Sequence, residues 1–245
     1  VTRVTFVGTS DAFGAGGRRQ AAIVVETAGG SLLLDCAPTT VTGLAALGID
    51  RRALDAVVVT HFHADHFAGI PSLVLASTYA DRRRTPLVVA GPPGVEARVR
   101  LAAQAIGHDF EDRDLGFPLR FAELAPGRPL ELAGAHVQGF GVHHQPESLP
   151  HGLRVTSAGQ TLAYTGDTGW FDALPEHVAG SDLCICECNF LEPTLAYHLD
   201  YRTLGERAEA LTCGRLLLTH LGAEMSEQRG HLALETADDG LALTL

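Results

Sequence analysis

The chain has 245 residues, 46% of them hydrophobic and 19% charged, ordinary proportions for a globular protein with a real core; that length allows one large domain or two small ones. A formal net charge of -11 with one dense basic run, Arg82-Arg83-Arg84, argues against extended, sequence-independent binding of nucleic acid and leaves room only for a local phosphate contact. No charged-then-apolar leader opens the chain and no apolar run approaches the roughly 20 residues of a bilayer span, so no membrane partner and a cytoplasmic location are expected.

Short β-branched runs recur along the chain. Val4–Val7 is the first, and Ile23–Val25 and Leu32–Leu34 follow, with Gly29-Gly30 read as a hairpin turn between them. A helical pattern spans about 39–47. Val57–Val59 and Leu87–Val89 are near-continuous apolar strands of the kind buried on both faces. Helices are expected at about 66–80 and 92–106, the second opening at Pro92-Pro93. The second half repeats the rhythm, with strands near 119–123, 130–141, 153–157 and 160–165 and a helix near 171–178. A strand at 182–187, a helix at 203–212, a strand at 215–219 and a helix at 232–238 complete it. Two halves of strands followed by helices suggest two sheets packed face to face with helices outside. With no linker, low-complexity tract or long-period repeat, one compact domain over 1–245 is the economical reading.

Five cysteines, an odd number, do not suggest a disulfide framework. Cys184, Cys186 and Cys188 alternate and would share one face of a strand, where they read as small apolar residues lining a core rather than as a thiolate site. The twelve histidines are the unusual count. Residues 60–66 read Thr-His-Phe-His-Ala-Asp-His directly after a buried strand. Side chains at i and i+2 of an extended loop point the same way, so His61 and His63 can reach one cation. Asp65 and His66 lie where the next helix should begin and can turn toward a second. Imidazole suits zinc, iron, nickel and copper; carboxylate tolerates zinc and manganese. An N-cap aspartate beside surface histidines is the plain alternative, and the density of ligand types after a strand weighs against it. Further ligands are offered at three other strand ends: Val142-His143-His144, Gly166-Asp167-Thr168 and Thr219-His220. The run Val137-x-x-Phe140-x-Val142-x-His144 is read as keeping one strand phase, which puts His144 rather than His143 on the inward face.

His61-Phe-His-Ala-Asp-His66, followed by His144, Gly166-Asp167-Thr168 and Thr219-His220, resembles the metallo-β-lactamase-fold hydrolases. Gly8-Thr-Ser-Asp-Ala-Phe-Gly14, Leu33-Leu34-Asp35-Cys36, Gly91-Pro92 and His198 upstream of His220 are similar to the ribonuclease Z-like, phosphodiesterase branch. The resemblance runs from about residue 4 to the end of the chain. It implies an α/β fold of four layers, αββα, with two mixed sheets face to face. It also implies two divalent ions, Zn2+ first with Mn2+ or Fe as alternatives. His61, His63 and His144 would hold one ion, Asp65, His66 and His220 the other, with Asp167 bridging. His198 would donate a proton to the leaving group, Glu187 would orient His198, and the implied catalytic set is His198, Asp65 and Glu187. Asp35 and Asp55 flank strands beside the loop and are candidates to orient metal-bound imidazoles. His151, in Pro150-His151-Gly152, is placed near the pocket rim with no role.

The chain also departs from that branch. Enzymes of the branch that process transfer RNA carry a long basic arm in the second half, whereas Asp167 and Glu187 are only twenty positions apart here, with no such insertion. Gripping RNA through counterion release needs several Lys or Arg contacts. A small, anionic, nucleotide-like phosphodiester therefore fits better than a tRNA precursor. Relatives of the resembled family also leave room for a homodimer. The run from His143 to Gly152 lacks the His-Thr-Pro-Gly-His style of thioesterase and lactonase members, and His63 stands where redox di-iron members place glutamate. Hydrolysis of a lactone, ester or lactam is the alternative within hydrolases. A non-catalytic metal-binding or sensing protein is the alternative outside them, and the intact ligand set weighs against it.

Overall fold

The computed structural model describes residues 2–110, 113–125 and 127–245. Strands β1 (Arg3–Gly8), β2 (Ala22–Thr27), β3 (Gly30–Leu34), β4 (Leu54–Val58), β5 (Leu87–Gly91) and β6 (Leu119–Glu123) make most of a first sheet. Strands β7 (Leu130–Leu132), β8 (Ala135–Gly141), β9 (His151–Ser157), β10 (Gln160–Tyr164), β11 (Leu183–Glu187) and β12 (Leu216–Thr219) make a second. β13 (Ala242–Thr244) brings the chain back to the first sheet, whose order is β13-β1-β2-β3-β4-β5-β6; the second runs β12-β11-β10-β9-β8-β7. Both are mixed: β3 through β6 pair in parallel and β1 through β3 antiparallel, while β10, β11 and β12 are parallel and β7 through β10 antiparallel.

Alternation along the strands builds the layers. On β3, Leu32 and Leu34 face the second sheet in a core shared with Val137, Leu153, Val155 and Leu162. Leu33, between them, turns the other way and packs with Leu44, Leu73 and Val99. Those residues come from helices α1 (Thr40–Ala46), α3 (Ile70–Leu75) and α4 (Val95–Ala105); the single turn α2 (Ala64–Phe67) precedes α3. The outer face of the second sheet presents Ala163, Cys184, Cys186 and Leu218 to Leu174, Leu204 and Met225. These belong to α5 (Leu174–Val178), α6 (Tyr201–Arg207) and α7 (Ala223–Gln228). The architecture is thus αββα. Cys184, Cys186 and Cys188 share this outer face as buried apolar residues.

Four local expectations need correction. Residues 232–238 form no helix. Leu218 N–H donates to Glu235 C=O and Ala237 N–H to Leu218 C=O, so the segment lies extended beside β12, and Thr236 bridges Leu218. The run 130–141 is two strands, β7 and β8, because Ala133 (φ 50) and Gly134 (φ 70) turn the chain in the left-handed region. The first hairpin turns at Ala28-Gly29, with Gly30 already in β3. Helix α4 starts at Val95 after Gly94, two residues beyond the proline pair.

Candidate metal centre

The loop after β4 is held extended and then wound abruptly. His63 is the N-cap of α2, with extended backbone (φ -77, ψ 148), and Asp65 and His66 occupy the helical turn behind it. His61 and His63 therefore point to one place, with ring centroids 4.7 Å apart, while Asp65 and His66 are carried around to another. From the second sheet come His144 in the loop after β8, Asp167 in the turn after β10, and His220 directly after β12. Gly166 takes φ +56, and a Cβ there would stand 3.0 Å from Thr60 Cβ, so glycine lets the Asp167 turn press against the His61 loop.

Two groups of four result. Ligand atoms of His61, His63, His144 and Asp167 lie within 4.8 Å of one another, and so do those of Asp65, His66, Asp167 and His220. Asp167 belongs to both, one oxygen toward each. Its Oδ2 is 3.7 Å from His61 Nε2 and 3.9 Å from His144 Nε2, whereas its Oδ1 is 3.2 Å from His66 Nε2 and 3.6 Å from His220 Nε2. Among the described residues, His61 Nε2, His66 Nε2 and Asp167 Oδ1 are buried without a hydrogen-bond partner. Three orphaned polar atoms converging on one buried region are costly in a dry protein and fit cation binding.

The opposite edges of the rings are tied down. His66 Nδ1 lies 2.8 Å from Asp35 Oδ2, and Asp35 also accepts from Thr60 N–H (2.8 Å), the Thr60 hydroxyl (3.0 Å) and the Tyr164 hydroxyl (2.9 Å). His144 Nδ1 is 2.9 Å from the Tyr197 carbonyl, which makes it the donor there and leaves Nε2 facing the cluster as an acceptor. The Asn189 amide is 3.3 Å from His220 Nδ1. Asp35 thus orients an imidazole, as expected. Asp55 does not: its carboxylate accepts from Ser31 N–H at the exposed start of β3, where the register with β4 shifts. Tyr164, Thr60, Asn189 and the Tyr197 carbonyl were not foreseen. Tyr164 stands two residues before Gly166-Asp167 and Thr60 one before His61, adjacency being the only sequence signal for them.

The electrostatics divide the histidines. Burial, reinforced by His66, depresses His61, and burial takes His144 down to about 4, so both stay neutral and able to coordinate. Burial would depress His220 too, but Asp167 and Asp65 outweigh it and carry it up to about 9. His66 rises in the same way beside Asp167, Asp35 and Asp65. Against burial, His220 and His66 hold Asp167 well below the usual carboxylate range, and His66 and His220 do the same for Asp65. The carboxylates thus concentrate negative charge where cations would sit.

His144 reaches the cluster, though not by the strand phase expected of it. Phe140 and Val142 pack in the outer core of the second sheet, away from Val137, and β8 ends at Gly141. A bridge between His143 and Gly169 then re-aims the chain, and the His143 ring sits against Tyr197 instead of in either group. His198 Nδ1 is 3.0 Å from Glu187 Oε1 and 3.9 Å from Asp167 Oδ2; its ring stacks on His220 at 5.8 Å. Thr168 N–H also donates to Glu187 Oε1, at 2.6 Å. His151 bonds back to the Leu149 carbonyl and does not line the cavity over the metal groups.

The family model described as "Beta-lactamase superfamily domain" matches residues 31–221, spanning every residue of both four-membered groups. The chain belongs to the beta-lactamase superfamily. It is a metal-dependent hydrolase, and proteins named ribonuclease Z are among the superfamily members it is similar to. A protein named ribonuclease Z from Mycobacterium bovis (strain BCG / Pasteur 1173P2) is 26% identical over 254 residues, covering 94% of this chain and 91% of its own. Among solved structures, the metallo-beta-lactamase fold protein YhfI from Bacillus subtilis superposes with a TM-score of 0.79 at 23% identity, covering 100% of both chains. A diphosphatase from the PhnP family superposes with a TM-score of 0.82 at 21% identity, covering 100% of this chain and 98% of that one. No helix among the described residues of this superfamily member is long and apolar enough to cross a membrane.

Proposed function

We propose that the chain is a dinuclear phosphodiesterase acting on a small anionic diester. One divalent ion would be held by His61, His63, His144 and Asp167, the other by Asp65, His66, Asp167 and His220. The observation that carries this reading is the split allegiance of Asp167, Oδ2 toward one group and Oδ1 toward the other. Imidazole and carboxylate donors suit Zn2+ first and accept Mn2+ or Fe. When bound, such a pair of ions supplies Lewis acidity and an activated water near neutral pH.

The remaining work belongs to side chains. Asp167, shared by both groups, sets their spacing, and Asp65 sits against His66 and His220 within the second. Hydrolysis forms one P–O bond to the water oxygen and breaks the P–O bond to the leaving group, whose oxygen needs a proton. His198, lining the cavity and backed by Glu187, is placed to give it. Burial would lower His198, but Glu187 raises it, which keeps a proton available there. The name ribonuclease Z on relatives covering nearly the whole chain supports a phosphodiester bond as the target. The net charge of -11 favours a small substrate over a folded RNA.

The test is turnover of bis-p-nitrophenyl phosphate beside a panel of lactones and carboxylic esters, with Zn2+ or Mn2+ supplied. Hydrolysis of the diester above all lactones is expected. Lactone turnover with an inert diester would move the chain to the ester-hydrolysing alternative; bound metal with no turnover of anything would leave a sensing protein.

A further inference from the structure

The cavity over the metal groups has a volume of about 540 Å³ and joins two unlike walls. One, beside His198, is Phe190 with Thr194 and Leu195; the Phe190 and His198 rings are 6.2 Å apart. The other is made by the loop after β1, which presents Phe13, and by Gly222 and Glu224, which follow the Leu221 carbonyl that Asp11 N–H of this loop reaches. Phe13 is 93% exposed, the most exposed large apolar side chain among the described residues. Its loop is built to display it. Asp11 Oδ1 accepts from the Ser10 hydroxyl and from the N–H groups of Phe13 and Ala15, and Gln20 Nε2 donates to the Ala12 carbonyl. Asp11 N–H reaches the Leu221 carbonyl, beside the ligand His220, so the loop is anchored to the site itself. An aromatic ring held on such a turn and left in water gains nothing for the fold; it is free to gain from a ligand.

Charge restricts what that ligand carries. The chain has no lysine, none of its 18 arginines lines this cavity among the described residues, and the histidines that do are His63 and His220 of the metal groups and His198 on the opposite wall. Glu224, exposed at the rim, adds a negative charge instead. The two ions would satisfy one phosphodiester, and a second anionic group on the substrate would face Glu224 with no cation to meet it.

Resting on the phosphodiesterase reading above, we infer that Phe13 selects the ester group that stays on phosphorus: a flat aromatic group bearing no charge of its own stacks there, while the leaving group faces His198. Substrates with a further phosphate or carboxylate at that position are disfavoured by Glu224. The substrate class is a singly charged diester with one uncharged aromatic ester arm.

Three p-nitrophenyl diesters with the same leaving group test this: methyl, phenyl and 4-carboxyphenyl p-nitrophenyl phosphate, assayed on the Zn2+-loaded enzyme. Stacking on an aromatic side chain gives an expected kcat/KM advantage of about tenfold for phenyl over methyl. Phe13→Ala should bring that ratio close to one, and Phe13→Tyr should restore it. Glu224→Gln should raise the carboxyphenyl rate relative to the phenyl rate. A phenyl-to-methyl ratio that is the same in the wild type and in Phe13→Ala overturns the inference while leaving the phosphodiesterase reading standing. Failure of the wild type on all three diesters sinks both.

Discussion

His198 lies between two carboxylates, 3.0 Å from Glu187 and 3.9 Å from Asp167. Burial pushes the Glu187 carboxyl up, while the adjacent His198 pulls it back down. A general acid works in its protonated form, and its contribution is lost as pH rises through the raised pKa. Removing the Glu187 charge lowers that pKa. The basic limb of log kcat/KM against pH should therefore move to lower pH in Glu187→Gln, and His198→Ala should lose ~10²-fold in rate. A limb that does not move in Glu187→Gln contradicts the pairing. At this scale the sequence is most informative where ligands are close in the chain. His61, His63, Asp65 and His66 declare themselves because one extended stretch and one helical turn aim four neighbours at two places. Their supports come from far away: Asp35 and Tyr164 are 129 residues apart and meet at 2.9 Å. Asp55 looks equivalent to Asp35 in sequence, yet it lies near the exposed start of β4 and ties it to the start of β3 instead.

Elements set which residues can meet. The turns of the β2–β3 and β7–β8 hairpins, from different sheets, touch glycine to glycine: a Cβ on Gly134 would stand 2.7 Å from Gly29 Cα, and one on Gly29 2.7 Å from Gly134 Cα. The Thr27 hydroxyl also donates to the Ala133 carbonyl across this contact. Gly134→Ala adds a side chain in the left-handed region and overpacks the joint, at an expected cost of about 1–3 kcal/mol, measured by urea unfolding. A variant as stable as the wild type would show that the two hairpins can part freely. The Gly29 end of this contact is suggested by Gly29-Gly30, but the other end is hidden inside what reads as one continuous strand. The extended segment 232–238 is hidden for a different reason. Leu232 and Leu234 are half-buried between exposed neighbours and Thr236 adjoins the buried Ala237, because the segment lies extended beside β12, a pairing made with another strand and not within the segment. β13 is three residues long and α7 six, too short for periodicity to announce either.

For the whole molecule, the site is a seam. Each four-residue group takes ligands from the loop after β4 in the first sheet and from strand ends of the second, with Asp167 in both. The histidine motif points this far because the remaining members, His144, Asp167 and His220, each follow closely on a strand of the second sheet. The cavity walls do not follow from it, since Phe13 and Glu224 are more than 200 positions apart. Bound ions would cross-link the two sheets and stabilise the folded chain by mass action. The most direct measurement is metal content per chain by mass spectrometry, with bis-p-nitrophenyl phosphate turnover, for the wild type and Asp167→Ala. Two ions and turnover are expected in the wild type, and the loss of at least one ion together with at least ~10³-fold of the rate in the variant. An Asp167→Ala enzyme that keeps both ions and full rate would contradict the shared-aspartate site.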